Sequence, residues 1–166
     1  MTTKLMRALP LAAALLAPAW ALAEPSAIYI VRHAEKGLES KDPDLTATGR
    51  QRALNLATML RKAGISHVFS TPTARTRQTA EPVAVDSHVA LAAYDPRNPQ
   101  ALVDQVRALD GAVLVVGHSN TVPDLVRLFG GAEADKEIPD SEYSRLYQLT
   151  PGPDGQMRTV RLTSLP

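Results

Sequence analysis

Two short apolar runs, each running straight into a histidine, constrain this chain most. Ala27-Ile28-Tyr29-Ile30-Val31 leads into Arg32-His33, and Val113-Leu114-Val115-Val116 leads into Gly117-His118-Ser119-Asn120. Both runs have the length and the β-branched content of buried strands. In open α/β sheets ligands bind at the carboxyl ends of the strands. Both histidines are therefore expected at that edge, with Arg32 beside the first.

The segments between the runs read as helices and short strands. Thr46 suits the N-cap of a helix from about Ala47 to Ala63, with Leu45, Ala53, Leu56, Leu60 and Ala63 on one buried face and Gly64 at C′. His67 to Ser70 is a second strand, and Ser70-Thr71-Pro72 turns into a helix that begins near Thr73 or Ala74. That places Arg75 in its first turn, and Pro82 is expected to end or kink it. Val89 to Tyr94 reads as a short edge strand. Asn98 and Pro99 suit the N-cap and N1 of a helix to about Leu109, and a last helix runs from about Thr121 to Phe129. Ser144–Thr150 and Met157–Thr163 flank a Pro/Gly turn and read as an antiparallel hairpin. The alternation predicts an α/β fold: a three-layer α/β/α sandwich on a mostly parallel sheet with an antiparallel edge hairpin.

The N-terminus stands apart. Lys4 and Arg7 precede a mainly apolar stretch from Leu9 to Leu22, and Ala21-Leu22-Ala23 has the small-x-small form of a signal-peptidase site. Pro10 and Pro18 interrupt a segment already short for a membrane anchor. Residues 1–23 are expected to be a signal peptide and 24–166 one domain, periplasmic or secreted and with no integral membrane association after processing. The 18 basic and 17 acidic residues leave no net charge of the size that attracts nucleic acid. With no cysteine, a disulfide framework, a thiolate metal site and a cysteine nucleophile are all excluded.

The candidate residues suit phosphoryl transfer, which needs a nucleophile, neutralisation of the non-bridging oxygens and a proton for the leaving group. A neutral His33 can attack phosphorus. Arg32 and Arg75 offer charged planar forks for phosphate oxygens, and His118 can donate to them as charge shifts. The N-termini of the helices after Ser70 and Gly117 add N–H groups. Arg77, about 200° round the helix from Arg75, reads as peripheral, and His67 and His88 as structural. No His-x-x-x-His pair or carboxylate-rich spacing is present, and two arginines would repel a cation, so no metal and no cofactor are expected.

Val31-Arg32-His33-Ala34-Glu35-Lys36, Ser70-Thr71-Pro72 with Arg75-Thr76-Arg77-Gln78-Thr79-Ala80-Glu81, and Val116-Gly117-His118-Ser119 also resemble, in order, the signature segments of the histidine phosphatase (phosphoglycerate-mutase-like, branch 1) superfamily. The resemblance implies a pocket of Arg32, His33, Arg75 and His118 and a phosphohistidine on His33. Ala34 stands where the family commonly has glycine, and with Glu35-Lys36 it resembles a subgroup of small, often exported members. In many members a glutamate after the arginine helix is the general acid. Here Asp95 is its positional counterpart and Glu35 the competitor. Lys36 is a further candidate contact for an anionic substrate, and Asn120 either caps the last helix or touches ligand.

The leading expectation is a phosphatase for a small phosphate monoester. A phosphoglycerate-mutase-type phosphotransferase and a non-catalytic phospholigand-binding protein are the alternatives. The loops Gly37–Leu45, Tyr94–Pro99 and Ala132–Ser141, the last an acidic one expected to border the site, should set the substrate. Oligomeric state is open.

Overall fold

The computed structural model describes residues 24–133 and 135–165; the signal-peptide reading of residues 1–23 lies outside them. The elements are β1 (Ala27–Arg32), α1 (Ala47–Leu60), β2 (Ile65–Ser70), α2 (Ala74–Asp86), β3 (Leu91–Ala93), α3 (Pro99–Arg107), β4 (Ala112–Gly117), α4 (Thr121–Leu128), β5 (Arg145–Pro151) and β6 (Met157–Thr163). They build one six-stranded sheet in the order β3-β2-β4-β1-β5-β6. The first four strands of that order are parallel, while β5 and β6 form the expected antiparallel hairpin at the edge beside β1.

Burial of both faces explains the unbroken apolar runs. Ala27, Tyr29 and Val31 of β1 face the layer of α1 and α2, together with Leu114 and Val116 of β4. Ile28 and Ile30 face the opposite layer, with Val113 and Val115, and pack against Leu102, Val103 and Val106 of α3 and Leu125 and Val126 of α4. Successive side chains of a strand point to opposite faces, so a strand between two helical layers must be apolar at every position.

Local signals operate much as the sequence predicts. The Thr46 side chain caps α1 by accepting from the Gly49 N–H at 3.1 Å, and Asn98 caps α3 by accepting from Ala101 N–H. Gly64 takes a positive φ in the turn after α1, which ends three residues earlier than expected. Two expectations need correction. Pro82 does not end α2, which continues to Asp86. Val83 and Ala84 beyond it are buried in the core, and that packing offsets the ladder bond a proline removes. Helix α2 instead closes at His88, which has φ 55° in the left-handed region while Val89 N–H returns to the Ala84 carbonyl. Asn120 holds the N-cap position of α4 but makes no side-chain cap. The Thr121 hydroxyl accepts from His118 N–H at 3.0 Å instead.

Candidate active site

Strand register brings the two histidines together. Arg32 pairs with Gly117 across β1 and β4, so the next residue on each strand, His33 and His118, leaves the sheet at the same level. His33 N–H continues the ladder to the Gly117 carbonyl at 2.9 Å. The ring centroids lie 5.5 Å apart, edge to face at 67°. Ser70 of β2 pairs with Val116 on the other side of β4, which sets Thr71 beside His118. The hydroxyl of Thr71 lies 3.0 Å from His118 Nε2 and 2.8 Å from the Thr76 hydroxyl.

His33 is only 3% exposed, and its Nδ1 lies 2.8 Å from the Ala34 carbonyl oxygen. A carbonyl can only accept, so Nδ1 carries the proton and Nε2 keeps its lone pair. Burial, followed by the charges of Arg32, His118 and Arg75, lowers the His33 pKa to about 4 against an opposing hydrogen bond to Ala34. His118 is likewise pushed down to about 4 by burial and then by Arg75 and Arg32. Both imidazoles are therefore neutral at pH 7, the state a nitrogen nucleophile requires.

The arginines reach this pair from different directions. Arg32, 4% exposed, sends Nη1 to the carbonyls of Pro139, Asp140 and Glu142 at 2.8–3.2 Å, and its guanidinium lies 4.4 Å from the centre of the Tyr143 ring. That ring also lies 6.1 Å from His33. Arg75, in the first turn of α2 as expected, donates to Asp42 Oδ1 at 3.2 Å. Among the described residues the buried Nε atoms of both Arg32 and Arg75 lack a hydrogen-bond partner. Such orphaned donors are uncommon in folded proteins, and an oxyanion between the arginines would satisfy them.

The loop before β5 borders the site, as its position in the sequence suggests. Ile138 N–H donates to the Ser119 carbonyl, and the Ser119 hydroxyl donates to Glu137. Arg145, 7% exposed, pairs with Glu142 at 2.7 Å and Asp135 at 2.6 Å and hydrogen-bonds the Tyr147 hydroxyl, which itself donates to Glu133. This network, with Arg145 and Tyr147 buried at its centre, ties the loop that grips Arg32 to β5.

The remaining candidates are less central. The carboxylate of Glu35 is held by Arg52 at 2.6–3.1 Å; burial opposes its ionisation, but the Arg52 hydrogen bonds outweigh that and keep its pKa low. Asp95 is exposed and bonded to Arg97, which also lowers its pKa. Lys36 is half-buried and pairs through its backbone with Leu45, and Asn120 is exposed. Arg77 is exposed on the outer side of α2. His67 lies 3.8 Å from Asp110, below the other end of the sheet. Asp42, Thr71 and Tyr143 were not singled out by sequence. Only a contact across loops separated by tens of residues reveals them.

Comparisons with known proteins bear on the fold and on the first motifs. Residues 28–97 match the family model of the histidine phosphatase superfamily (branch 1), a span that holds Arg32, His33 and Arg75. Over that span the chain is similar to members of that superfamily. A relative, the probable phosphoglycerate mutase GpmB of Escherichia coli, is 41% identical over 64 residues, which are 34% of this chain and 30% of the relative. The chain thus matches less than a third of that relative's length. Among solved structures, the protein histidine phosphatase SixA complexed with tungstate superposes with a TM-score of 0.62 at 21% identity, covering 82% of this chain and 96% of that one. A mycobacterial glucosyl-3-phosphoglycerate phosphatase complexed with VO3 gives 0.61 at 12% identity, covering 82% and 97%. These likenesses establish the shared α/β fold.

Proposed function

We propose that the protein hydrolyses small phosphate monoesters through a phosphohistidine on His33. The observation that carries this reading is a neutral, buried imidazole with its proton fixed on Nδ1, 5.5 Å from a second neutral imidazole and flanked by two arginines. His33 Nε2 attacks phosphorus in line with the ester oxygen. The Arg32 and Arg75 guanidinium groups, His118 and the N-terminus of α2 receive the charge on the non-bridging oxygens. Water then attacks the phosphorus of the intermediate and frees His33. A protein of the same fold was solved with tungstate, a tetrahedral oxyanion like phosphate, which suits this reading.

The test is hydrolysis of a chromogenic phosphate ester by wild type and His33→Ala, with acid-quench trapping of phosphoenzyme. Loss of turnover and of the trapped species in the variant is expected, and equal rates would remove His33 from the mechanism. A phospholigand binder would trap no phosphoenzyme. The likeness to a probable phosphoglycerate mutase makes phosphoglycerate interconversion the second assay. On the pattern of residues 1–23 we also propose export to the periplasm or medium; a mature chain beginning at Glu24 is expected on N-terminal sequencing of the exported protein.

A further inference from the structure

Hydrolysis of an unactivated ester needs a proton for the departing oxygen, and neither carboxylate expected from the sequence stands free to give one. Glu35 is committed to Arg52 and Asp95 to Arg97. Among the described residues, side-chain hydrogen bonds link two other carboxylates to the pocket arginines, Asp140 to Arg32 and Asp42 to Arg75. Asp140 is 96% exposed and meets Arg32 at 3.3 Å on the face turned to its own loop. Asp42 is placed differently. Its Oδ1 accepts from Arg75 Nη1 at 3.2 Å, and both carboxylate oxygens lie 3.0 Å from the Ala74 N–H that opens α2. Its charge acts directly on His118, whereas the charges acting on His33 are those of Arg32, His118 and Arg75.

The carboxylate therefore touches the pocket on one side and, at 51% exposure, solvent on the other. The loop that carries it has a fixed base. Gly37 N–H donates to the Asp44 carbonyl, Leu45 N–H to Gln78 Oε1, and Gln78 Nε2 to Asp44. Asp42 is thus held beside Arg75 at the start of α2, with its other side open to solvent.

We propose that Asp42 is the general acid and base of this site; the assignment rests on the phosphohistidine reading above. Arg75 and the Ala74 N–H are donors that a phosphoryl oxygen also needs. A phosphate that takes them releases the carboxylate beside a second negative charge, and like charges sharing a site retain a proton between them. In the first step the Nε2 lone pair of His33 forms the N–P bond while the P–O ester bond breaks. The electron pair leaves on the ester oxygen, which takes the Asp42 proton and departs as the alcohol. In the second step water loses a proton to the Asp42 carboxylate as its oxygen bonds to phosphorus. The P–N pair returns to Nε2, inorganic phosphate leaves, and the acid is restored.

The experiment compares an alkyl phosphate, glycerol phosphate, with an aryl phosphate whose leaving group needs no proton, p-nitrophenyl phosphate. Wild type, Asp42→Asn, Asp42→Glu, Glu35→Gln and Asp95→Asn are assayed by single-turnover phosphorylation and steady-state kinetics. Asp42→Asn is expected to lose about 10²-fold in the single-turnover phosphorylation rate on the alkyl ester, far less on the aryl ester, with KM little changed, and Asp42→Glu to recover part of the alkyl rate. A residue that only orients Arg75 would weaken both substrates by one factor, mainly through KM, and that result overturns the assignment. So does leaving-group-selective loss in Glu35→Gln or Asp95→Asn, or equal alkyl rates in the two Asp42 variants. A wild type that forms no phosphoenzyme overturns the parent reading and this one together. Equal losses in Asp42→Asn with the wild-type phosphoenzyme intact overturn this one alone.

Discussion

Acidification should destabilise the fold through the same two imidazoles that make the site. Each titrates near 6.5 in an unfolded chain and near 4 here. Between those values the unfolded state binds more protons than the folded one. Stability is then full above about pH 7, falls as pH drops through 6.5, and stops falling below about 4. Integrating that linkage from pH 7.5 to pH 5 gives about 2 kcal/mol for one such histidine. His118 lies nearer solvent than His33, so the pair together costs between about 2 and 4 kcal/mol. Carboxylates held down by arginines, Glu35 and Glu142 among them, add acid sensitivity of their own, so the histidine share must come from a difference. Urea unfolding of wild type and His33→Gln at pH 7.5 and pH 5 supplies it. The variant should lose about 2 kcal/mol less than wild type over that interval, a midpoint difference of about 1 M at an ordinary denaturant slope. Identical losses in the two proteins would show that His33 is not held neutral by its surroundings, and the argument for its nucleophilicity would go with it.

Three further outcomes are expected. Gly49→Ala should destabilise by about 1–3 kcal/mol and slow turnover, because a Cβ there would lie 2.1 Å from the Glu35 carbonyl oxygen, two residues beyond His33; a thermal melt with a rate assay checks it, and the usual helical gain from alanine would refute it. Arg145→Met should cost about 3–5 kcal/mol in urea unfolding by stranding buried Glu133 and its neighbours, and Glu133→Gln in the same chain should recover part of the loss. Sulfate, which does not titrate near pH 6, should bind there with proton uptake, seen as a buffer-dependent calorimetric heat, since an anion between the arginines offsets the charges that add to burial in keeping His118 neutral; a heat independent of buffer would contradict it.

The parts legible in the sequence were those governed by local periodicity and strand register. Ile28 and Ile30 face one layer while Tyr29 and Val31 face the other, so the apolar run itself announced a strand covered on both sides. The meeting of His33 and His118 followed from two such strands ending in histidine, because neighbouring parallel strands place equivalent ends together. Side chains placed by distant partners were not legible. Glu35 is captured by Arg52, 17 positions away, and Arg32 takes its carbonyl partners from Pro139, Asp140 and Glu142, more than 100 positions away. Asp42 reaches Arg75 across 33 positions from a loop with no periodic pattern. Helix α2 passed Pro82 for a related reason, since tertiary burial of Val83 and Ala84 outweighed a local breaking signal.

The arrangement of charge shows how a chain so close to electrical neutrality concentrates positive charge in one place. The Nη1 group of Arg32 is satisfied by carbonyl oxygens, which orient the fork without cancelling its charge, and the Tyr143 ring closes one face. The carboxylate beside it, Asp140, is almost wholly exposed, so water screens what it takes away. Arg75 is better compensated, but by a half-exposed aspartate on a loop rather than by a buried partner. The positive potential is therefore local, set around two imidazoles that burial first and these charges second keep unprotonated. A long polyanion gains little from such a field, because the rest of the surface carries both signs in balance. On the proposed function a small phosphate gains most from it, set between the two arginines with the Nε2 edge of His33 beside it. On that reading, the arginines that would hold a compact anion also add to the burial that keeps the His33 imidazole neutral.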